Sequence, residues 1–202
     1  MSLKDVKRNF LVETATQLFL SRGIESVTIK DIADEAGVGE MTIYRYFGKK
    51  QNIVAASVML LQQSVLVNYF KLDKGNTGFD KLAIFYNSYL GVFKDKPEFF
   101  RFIREFDLIM REEDSNSLQA YEDGLSVFKK QYEEAYELGL KDGSVRKVDD
   151  LDLFYFTSTH ALIELCKKLS YEQVVLTQDE KINKVDEINC LINTFLMMFK
   201  NS

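Results

Sequence analysis

The sequence predicts an all-α protein of about nine helices. An N-terminal three-helix unit containing a helix-turn-helix is joined by a long helix to a larger helical body. Three observations carry this expectation. Apolar residues recur at helical spacing along nearly the whole chain, and no run of alternating β-branched residues suggests a sheet. A single proline in 202 residues leaves helices almost free of their main breaker. Capping signals punctuate the periodic stretches, with glycines where helices should stop.

The first helix is expected from Lys4 to Ser21, with Val6, Phe10, Leu11, Ala15, Leu18 and Phe19 on one broad face, and Gly23 as its left-handed stop. Thr28 caps a short second helix, Ile29 to Ala36, with Asp31 in the capping-box position, and Gly37 ends it. A third short helix occupies Glu40 to Tyr46, and a long fourth runs from Lys50 to about Tyr69. Beyond the Lys74–Gly78 loop a fifth covers Phe79 to Phe93. Pro97 sits in the first turn of a sixth that runs to about Glu112. A polar loop, Glu113 to Ser117, leads to a seventh ending at Gly139 or just beyond, and Asp142-Gly143-Ser144 makes a turn. The eighth spans Asp150 to Leu169, and the ninth starts at a capping box, Thr177 to Glu180, and runs to the end. Residues 1–50 are read as one domain and 51–202 as a second.

Composition narrows the function. Hydrophobic residues are 46% of the chain, enough for a real core. No apolar run exceeds five residues, reached at Phe195–Phe199, against the ~20 of a membrane span. No apolar stretch of signal-peptide length lies near the start, so a soluble, cytoplasmic protein without a membrane partner is expected. Cys166 and Cys190 fall in apolar helical stretches and read as inert thiols rather than a disulfide framework. Together with one histidine, His160, they are too few for an ordinary zinc site, so neither metal nor cofactor is expected. The chain has no glycine-rich phosphate loop, no Gly-x-Ser-x-Gly and no His/Cys cluster, and its acid pairs fall in solvated turns. An enzyme is therefore not expected. Net charge is −5 but uneven: residues 1–56 hold eight Lys/Arg against seven Asp/Glu, +1, leaving eighteen against twenty-four, −6, for the rest.

Residues 28–50, TIKDIADEAGVGEMTIYRYFGKK, carry the most information. Ile29, Ile32, Ala33 and Ala36 give the second helix one buried stripe, small where two helices must approach, and Gly37 supplies the sharp turn. On the third helix Ile43 and Phe47 point inward. The opposite surface presents Glu40, Met41, Thr42, Arg45 and Tyr46, a short polar-tipped rod able to enter a DNA major groove roughly 12 Å wide. Arg45 and Thr42 are the expected base readers, and Met41 can touch a thymine methyl. Tyr44 and Tyr46 can donate to phosphates. Lys50, at the start of the fourth helix, combines a cation with free backbone N–H groups.

At these positions the chain resembles the tetracycline-repressor-like (TetR) family of transcriptional regulators. The shared pattern is Thr28, Ile32, Ala33, Ala36, Gly37, Val38, Ile43, Tyr44, Tyr46, Phe47 and Lys50 at fixed spacing. With the first helix it covers about a quarter of the chain. Three positions depart from it. Gly39 stands where Ser or Thr often caps the third helix. Glu40 stands where a basic residue is common, and its carboxylate can accept from cytosine N4. Lys49 stands where a capping residue usually precedes Lys50.

The resemblance implies a DNA-binding homodimer on a palindromic operator, repressing until a small apolar or aromatic effector releases it. It assigns DNA contact to Thr28, Gly39, Glu40, Met41, Thr42, Tyr44, Arg45, Tyr46, Lys49 and Lys50. It places an effector pocket within the fourth to eighth helices, with Tyr86, Tyr89, Arg104, Phe106, Tyr121, Phe128 and His160 as lining. It implies a dimer interface of the last two helices, through Phe154, Leu162, Leu169, Ile188, Ile192, Phe195 and Phe199. Two alternatives stand beside it: a ligand-binding or adaptor protein of the same fold that has lost specific DNA binding, and a thiol redox regulator using Cys166 and Cys190.

Overall fold

The computed structural model describes residues 2–112, 115–171 and 182–200. Among them are nine α-helices and no strand: α1 (Leu3–Arg22), α2 (Ile29–Glu35), α3 (Glu40–Phe47), α4 (Lys50–Tyr69), α5 (Gly78–Asp95), α6 (Pro97–Ile109), α7 (Ser115–Asp142), α8 (Leu151–Leu169) and α9 (Lys184–Met197). The all-α expectation holds. Short 3-10 turns at Leu72–Lys74 and Met110–Glu112 follow α4 and α6. The capping box expected at Thr177–Glu180 lies outside the described residues; the described part of α9 is capped by Asn183, whose side chain accepts from Val185 N–H.

The chain forms two compact units, Met1–Ser64 with Arg101–Gly124, and Val65–Phe100 with Leu125–Ser202. The first therefore extends past residue 50 and recruits most of α6 and the start of α7. Leu11, Ala15 and Phe19 of α1, Ile32 and Ala33 of α2, Ile43 and Phe47 of α3, and Ile53, Val54 and Val58 of α4 are all buried. From α6, Phe102, Ile103 and Phe106, and Met110 of the 3-10 turn after it, join this buried set. The Phe19 and Phe102 rings meet at 6.3 Å between centroids. Val6 and Phe10, expected on the buried face of the first helix, are about half exposed, because α1 is covered only from Leu11 onward.

In the second unit α5, α8 and α9 pack mutually around an aromatic core that includes Phe70, Phe85, Tyr86, Phe128, Tyr132 and Phe199. The start of α5 is tied to the end of α7. Gly78 N–H donates to Asp142 Oδ2 at 2.8 Å, and Phe79 N–H to Ser144 Oγ at 3.0 Å. Gly78 lies so close to Gly139 that a Cβ there would sit 2.0 Å from its backbone nitrogen. Thr77 and Asp80 form a capping box that sequence reading overlooked, which is why α5 begins one residue before the expected Phe79.

By length and composition Lys50–Lys74 contains an 18-residue window apolar enough to cross a membrane, with a mean hydropathy of 1.5. Counting unbroken apolar runs missed this, since Ser57, Gln62 and Gln63 interrupt it. Ile53, Val54, Val58 and Val65 along it are buried within the protein.

Candidate nucleic-acid interface

The helix-turn-helix segment is built from local rules. Thr28 Oγ1 accepts from Asp31 N–H at 3.1 Å, and Asp31 Oδ2 accepts from Thr28 N–H at 2.7 Å, a complete capping box at the start of α2. Hydrogen bonds from the Thr28 hydroxyl and backbone hold the Asp31 carboxyl below its ordinary range. Gly37 has φ +64°, the left-handed conformation that side chains resist. It lets Val38 N–H reach back to Ala33 C=O at 2.9 Å, so α2 closes and α3 starts two residues later. Gly39 caps α3 with its backbone alone, its C=O accepting from Thr42 N–H at 2.8 Å. Gly48, φ +74°, ends α3.

Ile43 and Phe47 are sealed beneath α3, as their spacing requires. Outward stand Glu40, Met41, Tyr44 and Arg45, with Lys49 just beyond; Met41 is 78% exposed. Thr42 and Tyr46, expected on that outer surface, are half-buried. Tyr46 acts as a platform, with the Arg45 guanidinium 5.7 Å from its ring centroid. Thr28 and Gly39 are exposed on the same unit.

Lys50 departs most from expectation. It is half-buried, and its Nζ points back at the α1–α2 turn, 3.4 Å from Glu25 C=O. Burial lowers its pKa, against the opposing fields of Glu25, Asp31 and Glu105. Sequence reading saw a cation at a helix start; it had no way to see a carbonyl 25 residues back competing for that cation. It also missed Arg8, whose guanidinium lies 5.3 Å from the Phe47 ring centroid and ties α1 to the underside of α3.

The residues expected to line an effector pocket fall in both units. In the first, the Phe106 and Tyr121 rings meet at a tilt, 4.9 Å between centroids, and burial pushes the Tyr121 hydroxyl up to about 12, with help from the Asp107 charge. Arg104 is exposed. In the second, Tyr86 is fully buried, its hydroxyl 2.8 Å from Ser158 Oγ and 3.1 Å from Tyr132 Oη. Tyr89 and Phe128 pack edge-on against Phe70. His160 is exposed, 5.8 Å from the Phe156 ring, so it does not reach this interior. An open groove of about 610 Å³, unforeseen from sequence, is lined by Arg146, Lys147, Asp150, Leu153, Phe154 and Met198 among others.

The residues expected at the dimer interface are mostly spent inside the chain. Leu162, Leu169, Ile188, Ile192 and Phe199 are buried, and Phe154 and Phe195 are half-buried. One stripe on each helix faces α5 and the other helix, leaving Leu153, Phe156 and Met197 as the large apolar side chains turned outward. Of the two thiols expected to be buried, Cys166 is, whereas Cys190 lies on the outer side of α9 and is exposed.

Residues 11–57 match the model of the bacterial regulatory proteins of the tetR family. Over 160 residues the chain is 25% identical to the HTH-type transcriptional repressor KstR2 of Mycolicibacterium smegmatis, covering 74% of this chain and 72% of that one. Two solved structures share the fold. A transcriptional regulator from Saccharomonospora viridis in complex with choline has TM-score 0.74 and 21% identity, over 96% of this chain and 98% of that chain. The regulator FadR from Bacillus subtilis in complex with stearoyl-CoA has TM-score 0.68 and 18% identity, over 94% and 98%.

Proposed function

We propose that the chain, whose residues 11–57 match the tetR-family model, is a cytoplasmic homodimeric repressor of the TetR family of bacterial transcriptional regulators, released from a palindromic operator by a small apolar or aromatic molecule. The observation that carries this reading is α3 itself: Met41, Tyr44 and Arg45 stand outward on a rod whose opposite face, Ile43 and Phe47, is locked into the unit. A rod anchored that way can present side chains to base edges in a fixed register.

In this reading residues 1–50 read DNA and 51–202 bind effector and form the dimer. Arg45, braced on Tyr46, donates to guanine; Thr42 and Glu40 contact neighbouring bases; and Met41 meets a thymine methyl. Thr28, Gly39, Tyr44, Tyr46 and Lys49 face the phosphates, and Lys50, held at the Glu25 carbonyl, adds its charge from behind them. A two-fold dimer sets two copies of α3 on successive major grooves. The outward Leu153, Phe156 and Met197 support its interface. Effector and operator then weaken each other by the same factor. A tenfold loss of DNA affinity corresponds to about 1.4 kcal/mol of differential effector binding.

A gel shift with the DNA upstream of its own gene tests the reading. Retarded, competitor-resistant bands support it. A purified dimer that retards no duplex even in dilute salt favours a ligand-binding protein that has lost DNA reading.

A further inference from the structure

We propose that Glu105 of α6 is a positioning residue for DNA reading: its carboxylate holds the α1–α2 turn, and through that turn the α2–α3 head, in the pose that binds the operator. This rests on the regulator reading above.

As the chain leaves α1, Gly23 caps the helix at φ +85° and spends its own N–H on Phe19 C=O. The next donor, Ile24 N–H, belongs to a residue with no exposed surface and has left the helix that would have satisfied it. Glu105, 81 residues along the chain, takes that proton: Oε2 lies 2.5 Å from Ile24 N. The carboxylate lies flat against Gly23, where a Cβ would come within 3.1 Å of Oε1. One residue on, Glu25 C=O accepts from Lys50 Nζ at 3.4 Å. An anion thus holds the donor side of a three-residue turn and a cation its acceptor side. Lys50 feels the Glu105 charge as well as those of Glu25 and Asp31.

The turn opens the six-residue stretch, 23–28, that joins α1 to α2, and α2 packs on α3. Apolar contact alone, such as Phe102 on Phe19, fixes distance and leaves rotation soft. A hydrogen bond from a backbone N–H to a side-chain oxygen fixes direction as well as distance. Glu105 shares α6 with Phe102, whose ring packs on Phe19 of α1.

The test compares the full-length protein with Glu105→Gln, Glu105→Asp and Glu105→Ala. A duplex selected from a random library by the wild-type protein serves as probe, with anisotropy for affinity and amide exchange at Ile24 as a second readout. Gln keeps an acceptor oxygen within reach, whereas Asp keeps the charge and falls one methylene short. The expected result is affinity within threefold of wild type for Gln, a loss of tenfold or more for Asp and Ala, and Ile24 exchange at least tenfold faster in those two. Should Ala fail to fold, the Gln and Asp pair carries the comparison. Unchanged affinity in Asp, with Ile24 exchange accelerated, overturns the inference alone. Equal losses in Gln and Asp, tracking a common drop in melting temperature, overturn it as a mere folding defect. A wild-type protein that selects no duplex overturns the regulator reading, and this inference with it.

Discussion

The Tyr86 hydroxyl and Ser158 Oγ lie 2.8 Å apart in the core of the second unit, with Tyr132 Oη at 3.1 Å from the same hydroxyl. Three helices, α5, α7 and α8, each contribute one hydroxyl to this buried chain. Ser158 in turn donates to Tyr155 C=O at 3.1 Å, so the network ends on the backbone. Tyr86→Phe keeps the ring and removes the central link. Unfolding by urea is expected to show a loss of about 1–3 kcal/mol, because the Tyr132 hydroxyl is left short of a partner away from water. An unchanged midpoint would mean the network contributes nothing to stability.

The same burial sets an alkaline limit. Desolvation raises Tyr86 and Tyr155 to about 12 and raises Tyr132 further. Their native pKa values lie above the unfolded value, so the native state favours the protonated form. Their contribution is fully present below pH ~10 and is lost as pH rises through the native values. Urea midpoints should hold from pH 8 to 9.5 and drop by pH 11. The difference in tyrosinate absorbance between wild type and Tyr86→Phe should appear together with the loss of helix; a difference that appears while the protein is still folded contradicts the assignment.

Two glycines separate space from conformation. Gly78→Ala drives a methyl into Gly139 backbone, 2.0 Å from its nitrogen, where no flexible side chain can give way. Destabilisation of about 3 kcal/mol or more is expected. Gly39 has ordinary φ, −76°, and open space around it. Gly39→Ser adds a side-chain cap to α3 and should raise stability by a few tenths of a kcal/mol. Thermal melts of both variants, which should move in opposite directions, check this.

On DNA, Arg45→Ala is expected to lose ~1–3 kcal/mol against the operator and little against random duplex. Lys49→Ala should weaken both equally and reduce the salt slope by about one. Lys50→Ala should do less than Lys49→Ala, since part of its charge is already engaged at Glu25. Anisotropy titrations at several salt concentrations rank the three; a ranking with Lys50 first contradicts its assigned orientation.

For the dimer, Leu153→Lys with Phe156→Lys should yield a folded monomer by sedimentation, because both side chains face outward. Ile192→Lys places an ammonium in the core and should unfold the second unit instead. A double variant that stays dimeric moves the interface elsewhere.

The local grammar of this chain was legible before any coordinates. Helical periodicity, the Thr28–Asp31 box, the Gly23 and Gly37 stops and the inward pair Ile43 and Phe47 all rest on interactions spanning about four residues, which a linear sequence displays. The order of the helices and the outward face of α3 followed from them. The direction of Lys50, the burial of Ile188 and Ile192 within the chain rather than toward a partner, the closeness of Gly78 to Gly139 and the hold of Glu105 on Ile24 could not be read that way. Each depends on which of several chemically equivalent partners arrives from tens of residues away. That choice is made only when helices pack, because burial rewards any apolar stripe equally until a neighbour takes one side of it.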